Sequence, residues 1–377
     1  MKNLATKGTK RGKGLKSNYE PIGNFIQPVD ECNGNLRDLP LVGLSISKEF
    51  IPSVANIIGT DLSNYKVIKK NQFACSLMQV SRDGKMPVAM FAEDEAIMSP
   101  AYPLFEVMDE KKLLPEYLMM WFSRSEFDRE AAYYAVGGVR GNLPWEDFLE
   151  MKVPVPKIET QRAIVAEYNA LQNRIIINQK IIQKLEETAQ AIYKEWFVDN
   201  KDEGWEVRTL SAVADIKAGG DKPDVFSEEK TEKCQIPIYS NSSVDKGLYG
   251  YTDEATISND SITISARGAI IGYTVLRTTP FVPIVRLIVV TPKKANLLNY
   301  IYDTIKNHVH DDNGSAQGQL TIPDVSSIEI TIPDDVIIKK YQKISSELTS
   351  HIEQINQENQ KLNEFKTLLL SKLASVV

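Results

Sequence analysis

Between Pro156 and Gly204 the chain contains neither proline nor glycine, and a second such run extends from Pro333 to Val377. These two residues are the strongest helix breakers, so each run can hold one very long helix. In the first run a 4-3 spacing selects Ile164, Tyr168, Leu171, Ile175, Asn178, Ile182, Leu185, Ala189, Ile192 and Trp196. Adding 177 to each number gives Tyr341, Ser345, Leu348, Ile352, Ile355, Asn359, Leu362, Lys366, Leu369 and Leu373. Sustained 4-3 spacing is the seam of a coiled coil rather than one buried helix face. Each stripe carries one asparagine, and a core asparagine costs stability while fixing register.

The runs close two copies of a longer repeat. "GNLPWEDFLEMKVPVP" (141–156) and "GQLTIPDVSSIEITIP" (318–333) align at the same offset: Gly141 with Gly318, Leu143 with Leu320, Asp147 with Asp324 and Pro156 with Pro333. Farther back, Tyr117 in "LLPEYLMMWF" aligns with Tyr300 in "NLLNYIYDTI", and "SNYEPIGNFI" resembles "GWEVRTLSAVADI". The body of the second copy, "SITISARGAIIGYTVL" and "IVRLIVVTP", is rich in β-branched residues and broken by Gly and Pro, as strands are. The predicted fold class is α+β: two mixed α/β domains separated by two long antiparallel coiled-coil helices, with an internal pseudo-twofold repeat. The boundaries read as a basic tail at 1–17, a first domain at 18–156, a first long helix at 157–200, a second domain at 201–335 and a second long helix at 336–377. If Asn178 faces Asn359, facing residues sum to 537, and the same register sets Ile164 against Leu373 and Trp196 against Tyr341. Each amide then has a polar partner.

Several function classes find no support. No apolar run is long enough to cross a membrane and no secretory leader is visible, so the expectation is a cytoplasmic protein. The three cysteines, Cys32, Cys75 and Cys234, are scattered. There is no phosphate loop of the G-x-x-x-x-G-K-[ST] kind and no methyltransferase Asn/Asp-Pro-Pro-Tyr. "PDVFSEEK" (223–230) sets its acids too close together for a metal-dependent nuclease, and it reads as a polar loop. His308 and His310 lack a third ligand and read as solvated loop residues. The chain is therefore expected to have no catalytic residue, no metal and no cofactor of its own.

The order domain–helix–domain–helix, with Pro154, Pro156, Gln161 and Ile164 opening the first helix, resembles the DNA-specificity subunit of type I restriction–modification systems. "ISARGAIIGYTV" and "GQLTIPDVSSIEITIP" are similar to that family's second target-recognition domain. The second helix departs from the pattern, because Gln-x-x-Ile becomes Gln342-Lys343-Ile344 and its start is not fixed by sequence. The resemblance implies a non-catalytic reader of a bipartite double-stranded DNA target. It would hold two methyltransferase (modification) subunits and restriction subunits, and S-adenosylmethionine, ATP and Mg would belong to those partners. The competing reading is a coiled-coil adaptor that binds other proteins and no nucleic acid. A fused restriction–methylation enzyme is disfavoured by length and by the missing motifs.

Base edges are read by Arg, Asn and Gln, and phosphates by Lys, Ser, Tyr and backbone amides. In the first domain these types gather at Ser81, Arg82 and Lys85, and at Arg140 and Asn142. In the second they gather at Asn241, Lys246 and Tyr249, at Arg267, and at Asn313, Gln317 and Gln319. The charge balance runs the other way. Residues 201–335 hold 13 Lys/Arg against 20 Asp/Glu, and residues 1–155 hold 19 against 20. Tight DNA binding by a lone chain calls for a basic surface. Either the positive loops are locally segregated or partner subunits supply much of the phosphate contact; the resemblance favours the second, so the expectation is weak binding by the chain alone. Ile176, Ile177, Phe197 and Leu368 lie off the seam and are the candidate partner contacts, the alternative being that they pack on the domains.

Overall fold

The structure, a computed structural model, describes residues 19–53, 59–78, 80–137, 141–311 and 318–375. The chain divides into two compact units, Met1–Ile177 with Glu358–Val377, and Asn178–Gln357. Each contains one β-rich domain and half of each long helix.

In the first unit, strands β1 (Ile26–Val29), β2 (Phe73–Cys75), β3 (Val88–Met90) and β4 (Leu104–Val107) form an antiparallel sheet in the order β1-β4-β2-β3. In the second, β5 (Ala214–Ala218), β6 (Ser261–Ser265), β7 (Thr274–Arg277) and β8 (Leu287–Pro292) form an antiparallel sheet in the order β5-β8-β6-β7. Adding four to each label of the first converts it into the second, so the two units share one topology. All five residues of β6 are buried, which is why "SITIS" does not alternate with charged residues: both of its faces are covered. In the first unit the aromatic core is built on Phe73 and Phe105, whose rings stack at 5.0 Å, with Phe122 edge-on to both.

Each domain closes on its own N-terminus. Tyr19–Pro21 pairs antiparallel with Lys152–Pro154, and Glu206–Thr209 with Glu329–Ile332. Just inside, Ile22 N–H donates to Met151 O, and Leu210 N–H to Ile328 O, both at 2.8 Å. The aspartates of the repeat, Asp147 and Asp324, occupy the third position of a short helix, Trp145–Glu150 in one copy and Ile322–Ser327 in the other. In the second copy Thr321 and Asp324 form a reciprocal capping box that satisfies two helix-start amides.

The long helices span Ile158–Lys194 and Asp335–Lys372. The first ends in a π-helical turn at Glu195–Asp199, the second in a 3-10 turn at Leu373–Ser375. Every stripe position picked out by the 4-3 spacing is buried or half-buried. Within the first unit Leu373 packs in one apolar cluster with Ile164, Val165 and Tyr168, and Lys366 lies 5.1 Å from the centre of the Tyr168 ring. Arg174 Nε pairs with Glu358 Oε1 at 2.9 Å. Numbers rise along one helix as they fall along the other, so the segments are antiparallel. Within the second unit the rings of Trp196 and Tyr341, a pair whose numbers sum to 537, lie tilted with centres 6.1 Å apart. Asn178 is buried in the second unit and Asn359 is half-buried in the first, so the asparagine pairing itself stays an expectation of the sequence.

The second helix starts at Asp335, and its altered motif has a physical explanation. Buried Gln161 accepts Leu114 N–H at 2.9 Å and donates to Lys112 O and Pro156 O at 2.8 and 2.9 Å. Gln342 accepts Asn299 N–H at 3.1 Å and donates to Asn299 Oδ1 at 3.0 Å. Gln342 lies four residues farther along its helix than the offset of 177 would place it. Four residues are close to one helical turn, so the same face is kept.

Candidate nucleic-acid interface

In the first unit, Ser81 and Arg82 lie in a one-turn helix, Val80–Asp83, with Lys85 exposed just after it. The loop bearing Asn142 lies against this turn. Gly141 has φ +73°, and a Cβ there would sit 3.2 Å from Ser81 Cβ, so the close approach needs glycine. Leu143 N–H then donates to Leu77 O at 2.9 Å. The two loops singled out in the sequence are thus brought together, although Arg140 lies outside the described residues. Arg82 Nε is paired to Asp83 at 2.8 Å, a contact exposed enough to be exchanged for another anion at little cost.

This loop hangs on a group the sequence reading missed. Asp128 Oδ1 accepts Met86 N–H at 3.1 Å and pairs with Lys48 Nζ at 2.8 Å, both side chains being nearly buried. Lys48 also donates to Phe122 O and lies 5.4 Å from the centre of the Phe127 ring. Burial pulls the Lys48 ammonium below its ordinary pKa, while Asp128 opposes the shift. Lys48 and Asp128 are far apart in sequence, and nothing in either segment announces the pair.

In the second unit four loops converge on Ala266 and Arg267. Asn241 Oδ1 accepts the N–H groups of Ala266 and Arg267 at 2.9 and 3.2 Å, and its Nδ2 donates to Arg267 O at 2.9 Å. Ala266 N–H donates to Arg286 O at 3.0 Å, and Leu320 N–H to Ala266 O at 3.0 Å. This last bond matches Leu143 to Leu77 in the other unit. Arg267 Nε donates to Gln319 Oε1 at 2.7 Å. Asn241, expected to contact DNA, has both ends of its amide committed to backbone, so its observed work is to position Arg267. Asn313 and Gln317 lie outside the described residues, as does the basic tail at 1–17.

Lys246 and Tyr249 lie on the turn and strand that follow Asn241 in the chain. Lys246 Nζ pairs with Glu353 of the second long helix at 2.8 Å. Asp245 and Lys246 both have positive φ, 46° and 51°, and Gly247 follows at +85°, where a Cβ would lie 2.6 Å from Ser240 O. Buried Arg277 holds the turn from beneath: its guanidinium lies 3.5 Å from the centre of the Tyr239 ring, Nε donates to Thr263 Oγ1 at 3.1 Å and Nη2 to Lys246 O at 2.5 Å. Burial pulls its pKa down, and Tyr239 opposes this. Exposed Tyr249 packs against Phe226 at 5.4 Å, with Lys222 Nζ 3.5 Å from the Phe226 ring centre.

Arg286 was not picked out by sequence. It is exposed, has φ +74°, and presents its backbone to Ala266. Its only signal was a lone charge inside the apolar run "FVPIVRLIVV". The histidines are a correction: His308 and His310 belong to the helix Leu298–Asp311 rather than to a loop, because no proline or glycine stands between Leu298 and Asp311 to stop it. Phe197 is another. It is 5% exposed, within 4.8 Å of the Tyr341 ring and 4.5 Å of the Tyr300 ring, so it is core and not a partner contact. Ile176, Ile177 and Leu368 are exposed, as expected. Among the described residues no cluster of three His, Cys, Asp or Glu could hold a metal, and no helix is long and apolar enough to cross a membrane.

The family model of the type I restriction modification DNA specificity domain matches residues 49–187 and 202–367. A protein of Mycoplasma pneumoniae named as a type I specificity subunit is 29% identical over 218 residues, which cover 56% of this chain and 58% of that protein. The chain thus spans little more than half the length of that relative. The specificity subunit of the type I restriction enzyme MjaIX from Methanocaldococcus jannaschii is 22% identical over 303 residues, covering 71% and 70% of the two chains. The crystal structure of a type I restriction–modification system S subunit from M. genitalium superposes with a TM-score of 0.60 at 14% identity, covering 97% of this chain and 98% of that one.

Proposed function

Because the chain belongs to the family of type I restriction modification DNA specificity domains, we propose that it reads a bipartite double-stranded DNA target and scaffolds the methyltransferase and restriction subunits that act on it. The observation that carries this reading is the loop chemistry. One sheet topology occurs twice, and in each copy polar and basic loops meet at the segment bonded to the loop ahead of the closing strand: Arg82 with Asn142 in one, Arg267 with Arg286 and Gln319 in the other. Different side chains on one frame suit two different half-sites. An adaptor without a nucleic-acid role gives no reason for such loops to converge in both copies.

The long helices would supply the spacing. At ~1.5 Å per residue, a helix of 37 or 38 residues is ~55 Å long. A DNA turn is ~34 Å, so helices of this length suit half-sites about one turn apart. Exposed Ile176, Ile177 and Leu368 on them would be covered by methyltransferase subunits. S-adenosylmethionine, ATP and Mg would be held by the partners.

The acidic balance of both domains argues that partner subunits share the phosphate contacts. The test compares the purified chain with its complex with the methyltransferase of its own system, on a duplex carrying the methylated motif and on a scrambled duplex. The complex should prefer the motif by at least ~1,000-fold, and the lone chain should bind both weakly. A complex that forms and shows no preference would contradict the reading.

A further inference from the structure

We propose that Arg267 reads a guanine in the half-site recognised by the second domain, with Gln319 holding its guanidinium in the reading orientation; this rests on the DNA-reading function above. Two sets of contacts fix the residue. Its backbone is clamped at both N–H and C=O by the amide of Asn241, and the preceding Ala266 is bonded to Arg286 O. Its side chain is clamped along one edge, where Nε and Nη2 both donate to Gln319 Oε1, Nε at 2.7 Å.

A guanidinium carries five N–H groups in one plane. The Nε–Nη2 edge is engaged by Gln319. Among the described residues no acceptor engages Nη1, so the Nη1–Nη2 edge, with two parallel N–H groups, is available. Two parallel donors require two adjacent acceptors. In the major groove only guanine offers that pair, O6 and N7. Adenine sets a donor beside N7, cytosine offers a donor, and thymine one acceptor beside a methyl group.

A phosphate also accepts two parallel N–H groups, but it asks for charge and not for a fixed plane. The double clamp fixes the plane before DNA arrives, which lowers the ordering cost of a directional contact. Gln319 is exposed and holds Arg267 with its carbonyl oxygen, so its own NH₂ group can donate to a neighbouring acceptor on the same base pair or the next.

The experiment uses the full chain in complex with the methyltransferase of its own system. Single-molecule sequencing of methylated DNA gives the motif, and binding is then measured on duplexes varied base by base across the second half-site. Wild type should prefer guanine at one position by roughly tenfold to a hundredfold. Arg267→Ala should erase that preference while discrimination at the first half-site persists. Arg267→Lys keeps the charge without the planar fork, and should also lose the preference while retaining the salt dependence of binding. Gln319→Ala should weaken the preference for guanine without redirecting it to another base. The assignment is overturned if Arg267→Ala keeps the preference, or if it weakens binding equally for all four bases, the signature of a phosphate contact. A wild-type complex that discriminates nowhere would instead remove the DNA-reading function itself. Because Arg267 is exposed, none of these variants disturbs the core.

Discussion

Tyr341 donates its hydroxyl hydrogen to Asp303 Oδ2 at 2.5 Å, joining the second long helix to the helix Leu298–Asp311 inside the second unit. Asp303 is buried, and burial pushes its carboxyl up to about 6 from an ordinary 3.8, against the opposing pull of Tyr341 and Lys306. The folded state therefore binds the proton more tightly than the unfolded one. The stability this contributes is fully present below about pH 4 and is lost as the pH rises through 6. Thermal or urea unfolding from pH 4 to pH 7.5 should show wild type losing up to about 3 kcal/mol relative to Asp303→Asn, which keeps a partner for Tyr341 but does not titrate. Parallel stability curves for the two proteins would show that burial does not set this carboxyl.

The buried pair behind the Val80–Asp83 turn should behave differently. Lys48→Met leaves Asp128 charged and unpaired in the interior, and should cost about 3–5 kcal/mol in urea unfolding. Lys48→Met with Asp128→Leu should recover part of that loss, though Met86 N–H is then left without its acceptor. If the single variant costs less than ~1 kcal/mol, the pair is more hydrated than its burial indicates.

Gln161 ties the first domain to the start of its long helix. Gln161→Ala removes three hydrogen bonds from a fully buried side chain and should cost about 2–4 kcal/mol. Gln161→Glu should be at least as damaging, because a carboxylate would face the carbonyls of Lys112 and Pro156. Calorimetry on both variants checks the order, and a near-neutral Glu variant would contradict it.

Three helix residues separate core from the proposed partner surface. Phe197→Ala opens a void among Tyr193, Tyr300 and Tyr341 and should cost about 3–5 kcal/mol. Ile177→Ala and Leu368→Ala, each at sites 50% exposed, should leave stability within about 0.5 kcal/mol while lowering recovery of the methyltransferase in copurification. Unchanged recovery with both replaced would move the docking surface elsewhere.

The architecture was readable because it is written in periodicity. The duplicated 4-3 stripe and the Gly-Leu-Asp-Pro frame are local patterns; the stripe survives as burial, and the frame's aspartate sits at the third position of a short helix in both copies and caps it in the second. Gln342 shows how a repeat can look broken and remain intact: the side chain moved by one helical turn and kept its bond to the start of the neighbouring helix. The loop residues were picked by type alone, and their division of labour was not legible. Whether Asn241 reads a base or holds Arg267 depends on hydrogen bonds across 26 residues. Arg277 and Asp128 resemble any other charged residue until the fold buries them. Phe197 was misjudged because its position off the stripe says nothing about the domain that packs over it.

The proposed function has each domain read one half of an interrupted site. Exchanging residues 18–156 for the same segment of another family member, then sequencing methylated bases in cells expressing the whole system, tests it most directly. One half-site should change while the other half-site and the gap between them stay as they were. A motif that changes in both halves, or in neither, would contradict the account.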